Sequence, residues 1–436
     1  MKILIVGAGV GGLALAGLLG DAHEVCLLEK DSEEAFAQKF GWYDDIAIPQ
    51  LHESGFGHLA EGPFPEDKGH SLNAPQMGDK PGAALYFNLT GKYVLRTELL
   101  AKLKAKAKEH AELRYGTAVK SLLLEDGRVV GVLTEGGEEL RADLTVDCAG
   151  CTELALPWRE PIGLIRRHDA KFTTYRGIFN CKIKKKPVCG DFIYLKHMDC
   201  IGISWFLIDD AGRLDILIGR VGQLSEEDIE LALEDLFSRH ADWCERGEKI
   251  SGSTYVISVC HPSRQMVYDG YAALGDSAGM TIPMCGSGIA KTLKAARLLA
   301  EQINTAKSAD CKELWGYQYR YYMGENSPAK DCYAMDVIKR WFLGSSDDRL
   351  QKLLGKDGKG FMSPRDVSNM LMGKMVETTI PALLKKLPAS IKSPRLAIEL
   401  VGVLLRASAA ERNGRKIPRE YDEEQVRKWQ RRAEIA

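Results

Sequence analysis

A short apolar run, Ile3 to Val6, passes straight into Gly7-Ala8-Gly9-Val10-Gly11-Gly12, and no other feature limits the fold so tightly. The run has the length and bounding glycine of a buried parallel strand, and Val10 to about Leu19 reads as a helix. Gly7, Gly9 and Gly12 stand at the spacing of a dinucleotide-binding turn. The first permits a tight bend, the second lets backbone approach a pyrophosphate, and the third lets helix pack on strand. The helix N-terminus then offers unbonded N–H groups to the phosphates. The next strand, Val25 to Glu29, ends on a carboxylate 22 positions after Gly7, where an acid accepts ribose hydroxyls. An acid there favours a ribose without a 2′-phosphate, so FAD or NAD over NADP. The ligand-facing set read from this half is Gly7, Gly9, Gly11, Gly12, Glu29 and Lys30. Gly20 lies outside the turn and is expected to accept alanine.

The rest of the chain is organised around that turn. Residues 31 to 93 are irregular and read as loops and short helices, followed by a helix from Thr97 to His110. A meander follows: Val119 to Leu124, Val129 to Thr134 and Leu140 to Asp147, with turns at Asp126-Gly127 and Gly136-Gly137. Residues 155 to 255 are mostly strand-like, interrupted by a helix from Glu226 to Arg239 that Ser225 caps. After about Ala300 the pattern is helical. The fold class expected is therefore α/β: a Rossmann-like dinucleotide domain discontinuous in sequence (1–50, 94–154 and 256–300), an inserted antiparallel-sheet substrate domain (51–93 and 155–255), and a helical C-terminal region (301–436).

Composition narrows the functional class. With 436 residues, 45% hydrophobic and 27% charged, the chain is an ordinary globular one with length for about three domain-sized units. A net charge of −1 supplies no bulk field for nucleic acid. Eleven cysteines, an odd number without paired spacing, suit a reducing cytoplasm. No signal-peptide core opens the chain, and no run approaches the ~18 apolar residues of a spanning helix. A cytoplasmic location is expected. No histidine spacing suggests a metal.

A second glycine-rich segment chooses between the two cofactors. Gly275-Asp276-Ser277-Ala278-Gly279 follows the apolar Tyr271 to Leu274, and Pro283-Met284-Cys285-Gly286-Ser287-Gly288-Ile289 opens a helix. This resembles the second FAD fingerprint of the flavoprotein superfamily that holds aromatic hydroxylases, halogenases and geranylgeranyl reductases. The resemblance implies Asp276 as ligand of the ribityl chain, beside Gly275, and Gly286, Ser287, Gly288 and Ile289 as the turn facing the isoalloxazine. A helix N-terminus suits the negative charge that reduction places at the pyrimidine end of that ring. Asp143 to Gly150 is similar to the strand closing the FAD domain, with Ala149-Gly150 where hydroxylases carry Asp-Gly. Arg96 falls where these enzymes keep an arginine near FAD.

Within that superfamily the order of motifs over residues 1 to about 300 is most similar to the geranylgeranyl reductase family, flavoenzymes that saturate isolated double bonds of polyprenyl lipids. Pro283, Gly286, Gly288 and Ile289 are in step with its late segment. The substrate-strand motif keeps Trp205 but has Ile203, Leu207 and Ile208 at other places, and Phe40-Gly41-Trp42-Tyr43-Asp44-Asp45 lacks the family's cysteine. The resemblance implies hydride transfer from reduced FAD to an apolar alkene, with Trp205 and Cys285 as pocket residues. It also implies a lipid-like substrate and an electron donor, NAD(P)H or ferredoxin-type, that visits transiently, since only one dinucleotide fingerprint is present. Two rival readings stay open: a monooxygenase or halogenase of an aromatic substrate, and a non-catalytic electron carrier. Cys148 and Cys151 form a C-x-x-C that reads as structural. The helix starting at Ser393-Pro394 carries a wide apolar surface, which suits packing on the FAD domain, capping of a substrate tunnel, or peripheral contact with a membrane.

Overall fold

The computed structural model describes the chain apart from residues 40, 63–67, 77–81, 90, 152–170, 188, 209–211, 325, 356–358, 377–379 and 435–436. Its α/β architecture starts from the apolar strand Lys2–Val6, which is buried from Ile3 onward and lies inside a six-stranded sheet. That strand pairs in parallel with Glu24–Leu28 on one side and Leu144–Asp147 on the other. Tyr271–Ala273 adds in parallel beyond Leu144–Asp147, and Glu112–Arg114 beyond Glu24–Leu28. Strands buried on both faces read as continuous apolar runs, which is why Lys2–Val6 and Glu24–Leu28 were visible in the sequence and the half-exposed Glu112–Arg114 was not. The helices Val10–Leu19, Arg96–Ala107 and Ile289–Thr305 pack together through Leu13, Leu99, Leu103, Leu293 and Ala296.

The expected meander divides. Val119–Glu125, Arg128–Thr134 and the short Glu139–Arg141 form a separate three-stranded antiparallel sheet, and Leu144–Asp147 leaves it for the parallel one. Ala142 and Asp143 sit at the switch, where the Lys2 and Val130 carbonyls accept their amides. The region read as loops also holds strands. Tyr43–Ala47 pairs with Gly91–Leu95, while His70–Asn73 and Ala84–Phe87 join the larger sheet. They are four or five residues long and mix polar with aromatic positions, so no periodicity marked them.

That larger sheet has seven strands in the order Cys244–Ser258, Lys171–Ile183, Arg213–Val221, Gly202–Ile208, Asp191–Leu195, His70–Asn73 and Ala84–Phe87. It is antiparallel except where Asp191–Leu195 pairs in parallel with His70–Asn73. The helix Glu226–Arg239 covers one face through Ile229, Leu233 and Leu236, and Ser225 closes a capping box with Asp228. Of the strand-like stretch expected over 155 to 255, residues 155–170 lie outside the described residues. The tail is helical, including Cys311–Met323, Cys332–Gly344, Asp347–Leu354, Pro364–Leu371 and Pro394–Gly414. Gly20 corrects one expectation. It ends the first helix at φ 60°, ψ −160°, a region open only to glycine, so alanine there is strained whatever the space around it.

Candidate functional site

The glycines of the first turn are required for two different reasons. An ideal Cβ on Gly12 would lie 2.0 Å from the Gly7 carbonyl oxygen, and one on Gly7 would lie 2.5 Å from the Cys148 carbonyl oxygen. These two positions are closed by the fold itself. Gly9 is different: it precedes the helix at φ −68°, ψ −175°, an extended conformation any residue adopts, and its Cβ would meet nothing within 4 Å. The space beside Gly9 is what a pyrophosphate needs at the helix N-terminus. Gly11 faces away, its Cβ position 2.9 Å from the Thr292 methyl, so it serves the packing of two helices.

Glu29 is 7% exposed. One carboxylate oxygen accepts the Ala8 amide at 2.8 Å and the other the Asp31 amide at 3.1 Å. It thereby ties the turn to the end of the second strand, and a carboxylate that accepts two amides keeps lone pairs for further donors. Lys30 is exposed beside it. Ala149 and Gly150 follow the strand Leu144–Asp147 next to Gly7, with the Ala149 amide donating to Asp147 at 3.0 Å. The thiols of Cys148 and Cys151 are both pushed up by burial, which suits structural cysteines rather than a redox pair.

The second segment follows Tyr271–Ala273, two strands along the same sheet from Lys2–Val6. Gly275–Ala278 is a short 3-10 turn, and the Ser277 hydroxyl donates to the Asp147 carbonyl at 2.5 Å, tying both strand ends together. Burial raises the Asp276 carboxyl to about 6, opposed by a hydrogen bond from the Ser258 amide and by the charge of Arg96. Amides of Cys285 and Gly286 both donate to the Ile282 carbonyl, so the chain turns tightly before Gly288 caps the helix Ile289–Thr305. The residues present thus fit FAD: open space at Gly9, the acids Glu29 and Asp276, and a second helix packed beside the first.

An apolar cavity opens on this turn. It holds about 970 Å³ of space, including its mouth. The sheet supplies Leu72, Phe172, Ile193, Ile203, Trp205 and Leu217, and the flavin-side turn supplies Pro283, Met284 and Cys285. Trp205 and Cys285 both line it, Trp205 from the sheet and Cys285 from the turn. The opposite wall, which sequence reasoning missed, comes from the tail: Phe342, Leu343, Leu350, Val367, Met370 and Leu371. The helix Pro394–Gly414, considered as a tunnel cap, does not line the cavity; it packs on the outer side of Cys332–Gly344, where Trp341 donates to Glu399 at 2.8 Å. Two lysines reach the lining, and both are held by protein acceptors. Lys339 is buried, donates to the Val259 carbonyl and pairs with Asp336 at 3.1 Å, while Lys196 donates to the Ser345 carbonyl at 2.6 Å.

A buried charge network stands behind Trp205. Arg176 binds Asp215 through two nitrogens, at 2.8 and 2.6 Å, and donates to the Tyr43 carbonyl at 2.5 Å. It also lies 3.8 Å from Asp44, and its guanidinium sits 4.9 Å from the Trp42 ring and 5.8 Å from the Trp205 ring. Asp44 in turn takes a two-pronged contact from Arg96. Arg96 is therefore no solvated helix-start residue: it links the FAD side to the sheet through Asp44. Arg176 in Lys171–Ile183 and Asp215 in Arg213–Val221 lie on neighbouring strands of one sheet, a pairing that only the fold discloses.

Comparison with known proteins adds to this geometry. No protein-family model matches the chain. It is 32% identical over 376 residues to a digeranylgeranylglycerophospholipid reductase of Methanosphaerula palustris, covering 80% of this chain and 88% of that one. Among solved structures, a geranylgeranyl bacteriochlorophyll reductase-like protein from Thermoplasma acidophilum superposes with a TM-score of 0.70 at 20% identity, over 92% of this chain and 98% of that one. A flavin-dependent brominase superposes with a TM-score of 0.60 at 16% identity, over 92% and 99%. Both structural likenesses are of fold.

Proposed function

Starting from the chain's membership of the geranylgeranyl reductase family of FAD-dependent oxidoreductases, which the 32% identical reductase establishes, we propose that it reduces carbon–carbon double bonds of a polyprenyl-type chain. The observation that carries this reading is the cavity: its walls are aliphatic and aromatic, and they meet the glycine turn on which the flavin ring would lie. FAD held there, reduced by NAD(P)H or a ferredoxin-type donor, would supply the hydride for one alkene carbon, with a proton from solvent for the other.

The chain's own residues bind and orient. Gly9 with Glu29 and Lys30 would hold the adenosine diphosphate end, on the turn that Gly7, Gly11 and Gly12 shape, with Arg96, Ala149 and Gly150 beside the cradle. Gly275 and Asp276 would hold the ribityl chain, and Gly286, Ser287, Gly288 and Ile289 the pyrimidine end. Trp205 and Cys285 flank the space beside the ring, and the Arg176–Asp215 pair fixes the Trp205 strand. Fixing a flexible chain against the reacting ring is where such a pocket gains rate. The apolar lining also excludes water, so the charged groups at its edge keep their protein partners.

The test is stopped-flow flavin absorbance on dithionite-reduced enzyme without oxygen, with and without a polyprenyl substrate. Reoxidation with a product heavier by two hydrogens is expected, and Trp205→Ala should slow that step more than it lowers FAD content. Reoxidation that needs oxygen, with an oxygen atom in the product, would refute the proposal.

A further inference from the structure

We propose that the face formed by the helices Ile380–Lys392 and Pro394–Gly414 docks on an anionic lipid surface. Pro394–Gly414 buries Leu396, Val403, Ala407 and Ala410 against the protein. Its other side is aliphatic where a soluble helix is polar: Ile398, Val401 and Leu405 are 75%, 57% and 66% exposed. Their i, i+3, i+7 spacing puts them on one stripe. The preceding helix ends with Leu387 and Ile391, 52% and 73% exposed. None of the described residues covers these side chains, and isolated exposed aliphatics do not usually cluster in this way.

Charge chooses the occupant. The chain as a whole is balanced, with 59 basic and 60 acidic residues. Between 386 and 416, however, every exposed charged residue is a cation, among them Lys392, Arg395, Arg406 and Arg412. The two acids of this stretch are turned inward. Glu399 accepts from Trp341 and pairs with Arg349 at 3.4 Å, and Glu411 accepts the Asp331 amide at 3.0 Å. Arg395 and Arg406 run along one side of the aliphatic stripe, with stems long enough to lie against it while the guanidinium heads reach phosphates. Exposed aromatic anchors, the usual centre of a protein–protein contact, are absent from these described residues. Among the described residues no helix is long and apolar enough to cross a membrane, so the surface lies on lipid rather than through it.

The inference does not depend on the substrate of the cavity. FAD-loaded protein should be sedimented with vesicles of phosphatidylcholine alone and of phosphatidylcholine with roughly a third phosphatidylglycerol. Binding to the anionic vesicles, weakened by salt, is expected. Ile398→Ser/Val401→Ser/Leu405→Ser and Arg395→Glu/Arg406→Glu should each lower it by about ten-fold or more while FAD content stays unchanged. Absence of binding, or binding that neither variant alters, overturns the proposal. So does a dimer in light scattering that the serine variant dissociates, in protein that ignores vesicles, since the face would then belong to a second copy.

Discussion

Replacing Gly9 by valine separates the space a ligand needs from the space the fold needs. At φ −68°, ψ −175°, with no atom within 4 Å of its Cβ position, Gly9 accepts a side chain without strain in the ligand-free protein. Loss of glycine's freedom in the unfolded chain should leave the apoprotein as stable as before, or more stable by ~0.4–1 kcal/mol. The pyrophosphate, however, would lose its approach to the backbone. Hydrogen bonds to a charged partner contribute about 1.5–3 kcal/mol each, and losing roughly two weakens FAD by ~10²–10⁴-fold. Gly12→Ala should behave in the opposite order. Its Cβ would lie 2.0 Å from the Gly7 carbonyl oxygen, so strand and helix must part, at ~1–3 kcal/mol or more of folding stability. Gly136→Ala is the neutral control, its Cβ meeting only the Thr134 hydroxyl at 3.7 Å. The assay is a thermal melt of each apoprotein beside a flavin-fluorescence titration. Stoichiometric, tight FAD in Gly9→Val would refute the assignment of that space to the cofactor, as would an apoprotein destabilised as much as Gly12→Ala.

Four further outcomes are expected. FAD affinity should rise as pH increases through about 6 and level off above it, because a ribityl hydroxyl needs the ionised Asp276 as acceptor, and the step should vanish in Asp276→Asn; a flat titration of the native protein would remove Asp276 from the cradle. The same raised carboxyl works against the apoprotein, whose stability from this group is fully present below ~3.8 and lost as pH rises through about 6. Arg176→Met should cost ~3–5 kcal/mol in a denaturant titration by leaving Asp215 charged and buried alone; a loss below 1 kcal/mol, about what a surface pair contributes, would contradict the network. His240, stacked on Phe206 with a ring distance of 4.0 Å, is held down to about 3 by burial. Since the unfolded ring titrates near 6.5, stability present above that value falls by on the order of 1.4 kcal/mol per pH unit as pH drops toward 3, and His240→Phe should flatten the slope; an unchanged slope would assign it to carboxylates.

The sequence disclosed the parts of the fold whose periodicity is unambiguous. Buried parallel strands such as Lys2–Val6, the capped helix Glu226–Arg239 and the two glycine turns all carry local signals, and each lies where expected. What stayed hidden depends on partners distant in the chain. His70–Asn73 is a strand because Asp191–Leu195 pairs with it, and nothing in His-Ser-Leu-Asn announces that. Arg96 was expected near the FAD, but its partner Asp44, itself in an unrecognised strand, was not foreseen. The cavity was half legible: Trp205 and Cys285 lie on it, but the wall contributed by Phe342, Leu350 and Met370 comes from helices that look in sequence like any packed tail.

The crossing of Gly7 against Cys148, and of Gly11 against Thr292, has a bearing on synthesis. Gly9 leaves the ribosome near the beginning of translation and Gly288 far later. At ~5–20 residues per second the interval is roughly 15–55 s. Through the first half of it the first strand can pair only with Glu24–Leu28, and its other edge waits, apolar and unmatched, until Leu144–Asp147 emerges; the free edge then passes to that strand until Tyr271–Ala273 follows. The nascent chain therefore needs protection from aggregation on exactly that edge, and flavin supplied early finds only half a cradle. Truncations that stop before Ile289 should emerge colourless and dependent on chaperones, even though they contain the whole of the first glycine turn.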